Sequence, residues 1–314
     1  PQAIGLRCLR EWYLLLNITT ITFEQGLAYA LLALAVYLSF RTLNFPDLTV
    51  DGSFPLGGAV AAVLMDGGGD PFVATLAAEG AGLAAGTFTG LLNTKLKINA
   101  LLSGILTMIG LYSINLAIMG RSNISLLRID SVFDKIANVF GVSTSTTLVI
   151  LTLAVLVTII IIILARFLHT NMGLAIRATG DNSQMIRGLG VDTDKTKIIG
   201  LSLSNGLVAL SGALVAQDQG FTDVGMGIGM IIIGLASVII GESLFRPKTV
   251  TWTLVSLAGG SIVYRLFVAV ALRLGMAPGK LKLVTALLVI AVLAAPRYKG
   301  IWQQIVRWWR RDRA

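Results

Sequence analysis

Charge is what this chain most lacks. Only 13% of its 314 residues are charged, against about a quarter in a soluble domain, while 55% are hydrophobic and the mean hydropathy is +0.82. That balance excludes an ordinary soluble fold. Cysteine is almost absent too: Cys8 stands alone, so no intrachain disulfide can form and the redox compartment is unreadable. Histidine is as scarce. His169 sits in a polar loop with no Cys or carboxylate cluster beside it, so no metal ion is expected. The motifs of nucleotide chemistry and hydrolysis are also missing. Gly275 to Leu281 is the nearest string to a phosphate-binding loop, but its spacing is wrong and it holds no hydroxyl residue. There is no HExxH and no GxSxG, and Gly225, Gly227 and Gly229 match no dinucleotide fingerprint. No catalytic residue, no enzyme activity and no cofactor are expected of the chain itself.

Long apolar runs are what it has. Several reach the roughly 18 to 20 residues needed to cross a hydrocarbon core, and 34 glycines suit closely packed membrane helices. The expected fold is an all-α polytopic membrane protein with eight or nine spans. The net charge of +9 would suggest nucleic acid in a soluble protein. Here the basic residues flank the spans, the ordinary positive-inside bias, and the expected partner is the lipid bilayer, with no nucleic acid. Residues 1 to 20 carry no cleavable signal pattern.

Three regions follow. Residues 1–21 are expected to form an interfacial helix, since Arg7, Arg10 and Glu11 break the apolar pattern. Residues 22–296 form the membrane domain. Residues 297–314, with six basic residues and Trp302, Trp308 and Trp309, are expected to form a basic amphipathic tail on an anionic inner leaflet. Within the domain, Asn44 to Ser53 follows the first span, Phe23 to Phe40. It is disrupted by Pro46, Asp47, Asp51 and Gly52, and the apolar run behind it, Phe54 to Met65, is short. Residues 44–65 therefore read either as an interrupted segment lining a wet cavity or as a cytoplasmic loop before a short tilted helix. The third span, Phe72 to Leu92, carries a four-residue stripe of Ala78, Gly82, Gly86 and Gly90 for close helix packing, and an intramembrane carboxylate, Glu79. A surface helix is expected over Asp130 to Phe140. The sixth span begins at Ile198, Gln217 to Asp223 is a polar junction, and the seventh span is Gly225 to Ile240. Arg265, in the eighth, is expected to snorkel outward. Leu283 to Ala295 is a ninth segment. Phe45-Pro46-Asp47 before one short helix and Phe221-Thr222-Asp223 before another, running oppositely, hint at an inverted repeat.

One polar stretch separates the apolar blocks: residues 166–197. Leu174 to Ile186 has a helical pattern, with Gly173 before it and Gly188 and Gly190 after it. Such a helix lies on the bilayer or docks on a soluble partner. The runs Leu174 to Asn182 and Gly188 to Asp192 resemble the cytoplasmic coupling segment of ATP-binding-cassette importer permeases of the branched-chain amino-acid type. Leu43 to Gly57, and Asn205 to Leu214 through Gly241-Glu242, closely resemble the tryptophan/tyrosine importer permeases of that group. The resemblance spans residues 22 to 300.

The resemblance implies a pathway for a small solute, an amino acid, with the aromatic amino acids as the narrower expectation. It implies separate ATP-binding-cassette ATPase subunits, an extracytoplasmic substrate-binding protein and a second permease copy, most simply a homodimer. The membrane would be the bacterial cytoplasmic (inner) one, with the coupling segment and C-terminus cytoplasmic and the N-terminus outside. Coupling to the ATPase falls on Arg177, Ala178, Asp181, Asn182 and Gly190. Candidates for the translocation pathway are Asn44, Asp47, Asp51, Asn205, Gln217 and Asp223; Asp51 and Asp223 equally suit helix N-caps. The rival is an ion-gradient-driven secondary transporter or channel, which needs a working carboxylate deep in the membrane, with Glu79 as its candidate. A membrane scaffold is the third alternative.

Overall fold

A computed structural model describes residues 2–276, 283, 285–287 and 290, with side chains placed from residue 19 onward. Helix α1 runs unbroken over Gln2–Val36. The stretch expected as an interfacial helix over 1–21 is helically continuous with the first span from residue 2 onward, because residues 6–25 contain neither Gly nor Pro to stop it. Over Tyr37–Thr42 the helix widens into a π turn, and the Leu43 amide reaches back five residues to the Leu38 carbonyl at 3.0 Å. Asn44 then turns left-handed (φ 52°) and Pro46, lacking an N–H, ends the regular structure.

Helix α2, Val50–Asp66, resumes earlier than expected and has 17 residues. It is followed by α3, Pro71–Thr94, which opens on an Asp70 cap and a proline at its first position. Helix α4, Ala100–Met119, stops at the left-handed Gly120. A short strand, β1 (Asn123–Ser125), precedes α5 (Val132–Phe140), where Ser131 and Asp134 form a capping box. Then come α6 (Thr146–Leu168), α7 (Asn171–Gly188) and α8 (Thr193–Gln219). Strand β2 (Phe221–Asp223) pairs antiparallel with β1, and a 3-10 turn, Val224–Gly227, leads into α9 (Met230–Phe245) and α10 (Val250–Arg273). Gly225 and Gly227 lie in the 3-10 turn that opens the seventh span, and its α-helical part begins at Met230.

Among the described residues, six helical stretches are long and apolar enough to cross a membrane, ending with Val224–Phe245 and Val250–Arg273. The shorter α2 and the Gly- and Ala-rich α3 pass through the same bundle beside them. The ninth segment lies mostly, and the basic tail wholly, outside the described residues. The chain is an all-α polytopic membrane protein. One end of the bundle carries α7 with the Lys95–Lys97 and Arg246–Lys248 turns; the other carries Asp66 to Asp70, the β1–β2 ribbon and α5.

Helix α8 is the hub. It packs on α3, α2 and α1, and most of its length is buried. Close approach is made by the stripe the sequence showed: a Cβ on Gly82 would overlap the Asn205 carbonyl and one on Gly86 the Leu201 carbonyl, while Gly90 abuts Ile198. Ala78 completes the row against Ala213. On the α2 side, Gly57 meets Ala209 and Gly212 meets Phe54 backbone to backbone. In lipid, where the hydrophobic effect drives no helix association, such van der Waals contact holds the bundle. Arg265 lies half-buried with its guanidinium 3.7 Å over the Tyr29 ring and donates to Gln25 Oε1 at 3.4 Å.

Two substitutions on one helix test this packing. Gly86→Val should cost about 1–3 kcal/mol and lower the melting temperature in detergent, whereas Gly80→Val, which meets open space, should leave it almost unchanged. Equal effects would contradict the assigned α3–α8 contact.

Candidate functional site

The site begins with α7. Its backbone is helical on both sides of Asn182, which is extended (φ −156°, ψ 93°), so two short helices meet at a kink rather than one helix running from Leu174 to Ile186. The Asn182 side chain accepts the Met185 amide at 3.0 Å and so caps the second piece. The first piece packs inward. Ile176 is fully buried in a cluster with Leu43, Phe45 and Leu201. Gly180 rests on the Thr42 carbonyl and Leu43, closer than any side chain would allow. The second piece is pinned to α8 by Arg187, which donates to Thr193 Oγ1 at 2.6 Å and pairs with Asp194 at 2.9 Å. Arg177 and Asp181 line a polar cavity of about 500 Å³ with Arg41, Glu242 and Arg246, where Arg41 and Glu242 pair at 3.1 Å. Ala178 is half-buried; Asp181, Asn182 and Gly190 are exposed, and Gly190 turns left-handed (φ 87°) to leave the helix.

The loop that α7 touches is held from its other side. Asp47 is completely buried; its Oδ1 accepts the Thr49 amide at 2.9 Å and its Oδ2 accepts Asn205 Nδ2 at 2.7 Å. Asn205 Oδ1 in turn accepts Ser53 Oγ at 2.7 Å. Asn205 lies twelve residues into α8, about 18 Å along its axis. One carboxamide at mid-span thus ties the irregular loop to the first turn of α2. A second chain of hydroxyls, Thr49–Thr89–Thr107, links that loop to α3 and α4 at 2.8 and 3.0 Å. Backbone outside a helix survives at membrane depth only when satisfied in this way.

Asp51 behaves as a cap, but for a different helix than its position suggests. It accepts the Gly229 and Ile231 amides at 2.9 and 2.8 Å, and so caps α9 from within α2. The N-termini of two oppositely running short helices therefore meet at Asp51, which is the inverted arrangement hinted at by the sequence. Pro55 has no N–H to offer the Asp51 carbonyl, and Gly227 fills the space against both. Asp223 caps the 3-10 turn, not α9, through Gly225 N at 2.7 Å. Gln217 is a buried staple at the α5 end, accepting Val132 N at 2.9 Å and donating to Thr75 Oγ1 at 2.8 Å. Asn44 is exposed at the α7 end.

The six expected pathway residues are thus not gathered around one lumen. Asp47 and Asn205 are joined, and Asp51 lines a cavity of about 430 Å³. Its other walls include Pro55, Met108, Tyr112, Ser113 and Asn115. The α4 residues among these escaped the sequence reading because the span looks uniformly apolar. The available signal was Asn115, a fully buried amide in that span. Most of α4 is exposed, Tyr112 at 55%. Glu79 is half-buried on α3, away from this cavity.

A family model described as the branched-chain amino acid transport system, permease component, matches residues 18–293. A tyrosine transport system permease protein of Clostridioides difficile (strain R20291) is 44% identical over 270 residues, covering 86% of this chain and 88% of that protein. An uncharacterized protein of Rickettsia prowazekii (strain Madrid E) is 33% identical over 290 residues, 91% of this chain and 100% of its own. An autoinducer 2 import system permease protein of Salmonella typhi is 30% identical over 240 residues, covering 76% and 66%. No solved structure matches.

Asn205→Leu should destabilise the protein more than Ser53→Ala, because it strands the buried Asp47 and Ser53 together, each unsatisfied group costing about 1–3 kcal/mol or more. Melting temperatures in the reverse order would contradict the network. At the α5 end, the hydrogen bond from Lys135 holds the exposed Asp70 carboxyl below the ordinary aspartate range, helped by the Phe72 amide. A depressed pKa gives stability that is present above the unfolded value and lost as pH falls through the folded one. Hydrogen exchange in α5 should therefore rise on acidification below the aspartate range, and Lys135→Met should flatten that rise; an unaltered profile in the variant would exclude the link.

Proposed function

We propose, from the premise that the chain belongs to the family of permease components of branched-chain amino acid transport systems, that it forms the membrane half of an ATP-binding-cassette importer for an aromatic amino acid. It is a transport subunit and not an enzyme. The observation that carries the coupling reading is the two-sided nature of α7. One face is locked to the irregular loop through Ile176 and Gly180, while Leu174, Met185 and Leu189 are exposed on a helix outside the bundle. Exposed apolar side chains of this kind mark a partner surface. The partner is an ATPase subunit, with Arg177, Ala178, Asp181, Asn182 and Gly190 at or beside the contact.

The same reading places α7 and the C-terminus in the cytoplasm of a bacterium, the N-terminus outside the inner membrane, and the substrate-binding protein on the α5 end, where Val139 and Phe140 are exposed. Two identical copies facing each other across α4 close the Asp51 cavity into a pathway. Substrate class follows from the tyrosine transport relative. ATP-driven motion of the ATPases shifts α7, α7 shifts residues 43–49, and the Asp47–Asn205–Ser53 clamp passes the shift to α2. The switch works only if substrate and nucleotide bind its two states differently.

Asp181→Ala, in the transporter assembled with its ATPase, should leave ATP hydrolysis running while import falls on the order of tenfold, about 1.4 kcal/mol of coupling. Import and hydrolysis falling together, or neither changing, would remove Asp181 from the coupling contact. Glu79→Gln should leave import intact; loss of import there, with ATP dispensable, would favour the ion-driven alternative.

A further inference from the structure

The cavity beside Asp51 has a chemical bias that its place in a pathway does not require. Among the described residues, its lining includes one carboxylate, Asp51, and no Lys or Arg. Asn115 is fully buried, and its Nδ2 donates to the Gly52 carbonyl at 3.1 Å. Only the amide nitrogen can donate to a carbonyl, so that bond fixes which end of the carboxamide faces away from α2. The Oδ1 at that other end is buried and has no hydrogen-bond partner. A buried acceptor left unfilled is costly and asks for an explanation. Ser113 adds a hydroxyl, and Met108, Ile109 and Tyr112 add an apolar wall.

We propose that this cavity is a way-station that reads the ammonium group of the transported amino acid, with Asp51 supplying the charge and Asn115 Oδ1 accepting a hydrogen bond. The carboxylate of the substrate meets no cation among the described lining residues and points away along the pathway. The aromatic ring lies on Met108 and Tyr112. Asp51 keeps its two bonds to the start of α9, so arrival of a cation alters the charge balance where the two short helices meet. The site thus senses substrate at the place where the inverted halves touch. This assignment rests on the amino-acid importer reading, but it makes a narrower demand: recognition by the permease itself, of one end of the substrate.

Ser113→Cys in a Cys8→Ser background places one thiol in the cavity of the otherwise complete chain. The reading is the rate at which a methanethiosulfonate reagent labels the purified permease, without binding protein. L-Tyrosine and tyramine, which share the ammonium, should both slow labelling, by roughly fivefold when saturating. 3-(4-Hydroxyphenyl)propionate, which lacks it, should not. These three compounds act on the same protein, so misfolding of a further variant cannot mimic the result. Adding Asn115→Leu should abolish protection. Equal protection by the deaminated acid, or protection that survives Asn115→Leu, would overturn the assignment. So would absence of any protection in a transporter that imports tyrosine. Failure to import any amino acid would instead strike the importer reading beneath it.

Discussion

The structure depends on one carboxamide. Asn205 binds Asp47 with its nitrogen and Ser53 with its oxygen, and so holds seven residues of non-helical chain inside a bundle that tolerates none unsatisfied. The contact that orders this loop also makes it responsive. A loop pinned at both ends transmits displacement, where a floppy one would absorb it. On its outer side the loop meets Gly180 and Ile176 of α7, and on its inner side it runs into α2, whose Asp51 caps α9. Each link is short and made by buried groups or backbone. Packed contacts therefore run without a gap from α7 to the place where the two short helices meet.

The energetics favour this arrangement because the polar groups sit where helices approach most closely. Gly82 lets α3 lie against the Asn205 carbonyl itself, and Gly212 does the same for α2 at Phe54. The small-residue stripe and the polar clamp are one device. Close backbones exclude water and lipid, and exclusion raises the cost of any unfilled hydrogen bond. Three buried side-chain atoms depart from this among the described residues, Thr42 Oγ1, Arg265 Nε and Asn115 Oδ1, and the last belongs to a residue that lines the Asp51 cavity.

Much of this was legible in the sequence, for local reasons. Period-four glycines name a packing face without any knowledge of the partner. Pro46 and Pro55 announce an interruption, and a polar stretch with helical periodicity between apolar blocks announces a helix outside the bundle. The partners were not legible. Asn205 reaches across 152 residues to Ser53, and Asp51 across 178 to Gly229, and nothing local specifies either. Asp51 and Asp223 were read as caps of the helices they precede, but Asp51 caps a helix far along the chain. Nor was the setting of Gln217 legible, whose carboxamide is bonded to Val132 and Thr75, 85 and 142 residues away. The helical continuity of α1 was not legible either, because Arg7, Arg10 and Glu11 break the apolar pattern without stopping a helix that has no Gly or Pro from residue 6 to 25.

Spin labels at Leu174 and Asn44, both exposed, with a third position at Lys95 as reference, give the most direct measurement. Pair distances would be recorded by electron paramagnetic resonance in the assembled transporter, with and without trapped ATP, in the Cys8→Ser background. The account predicts that the Leu174–Asn44 distance stays constant while both distances to Lys95 change together. A Leu174–Asn44 distance that changes on ATP binding, with Asn44 fixed relative to Lys95, would show that α7 moves without the loop and would contradict the account.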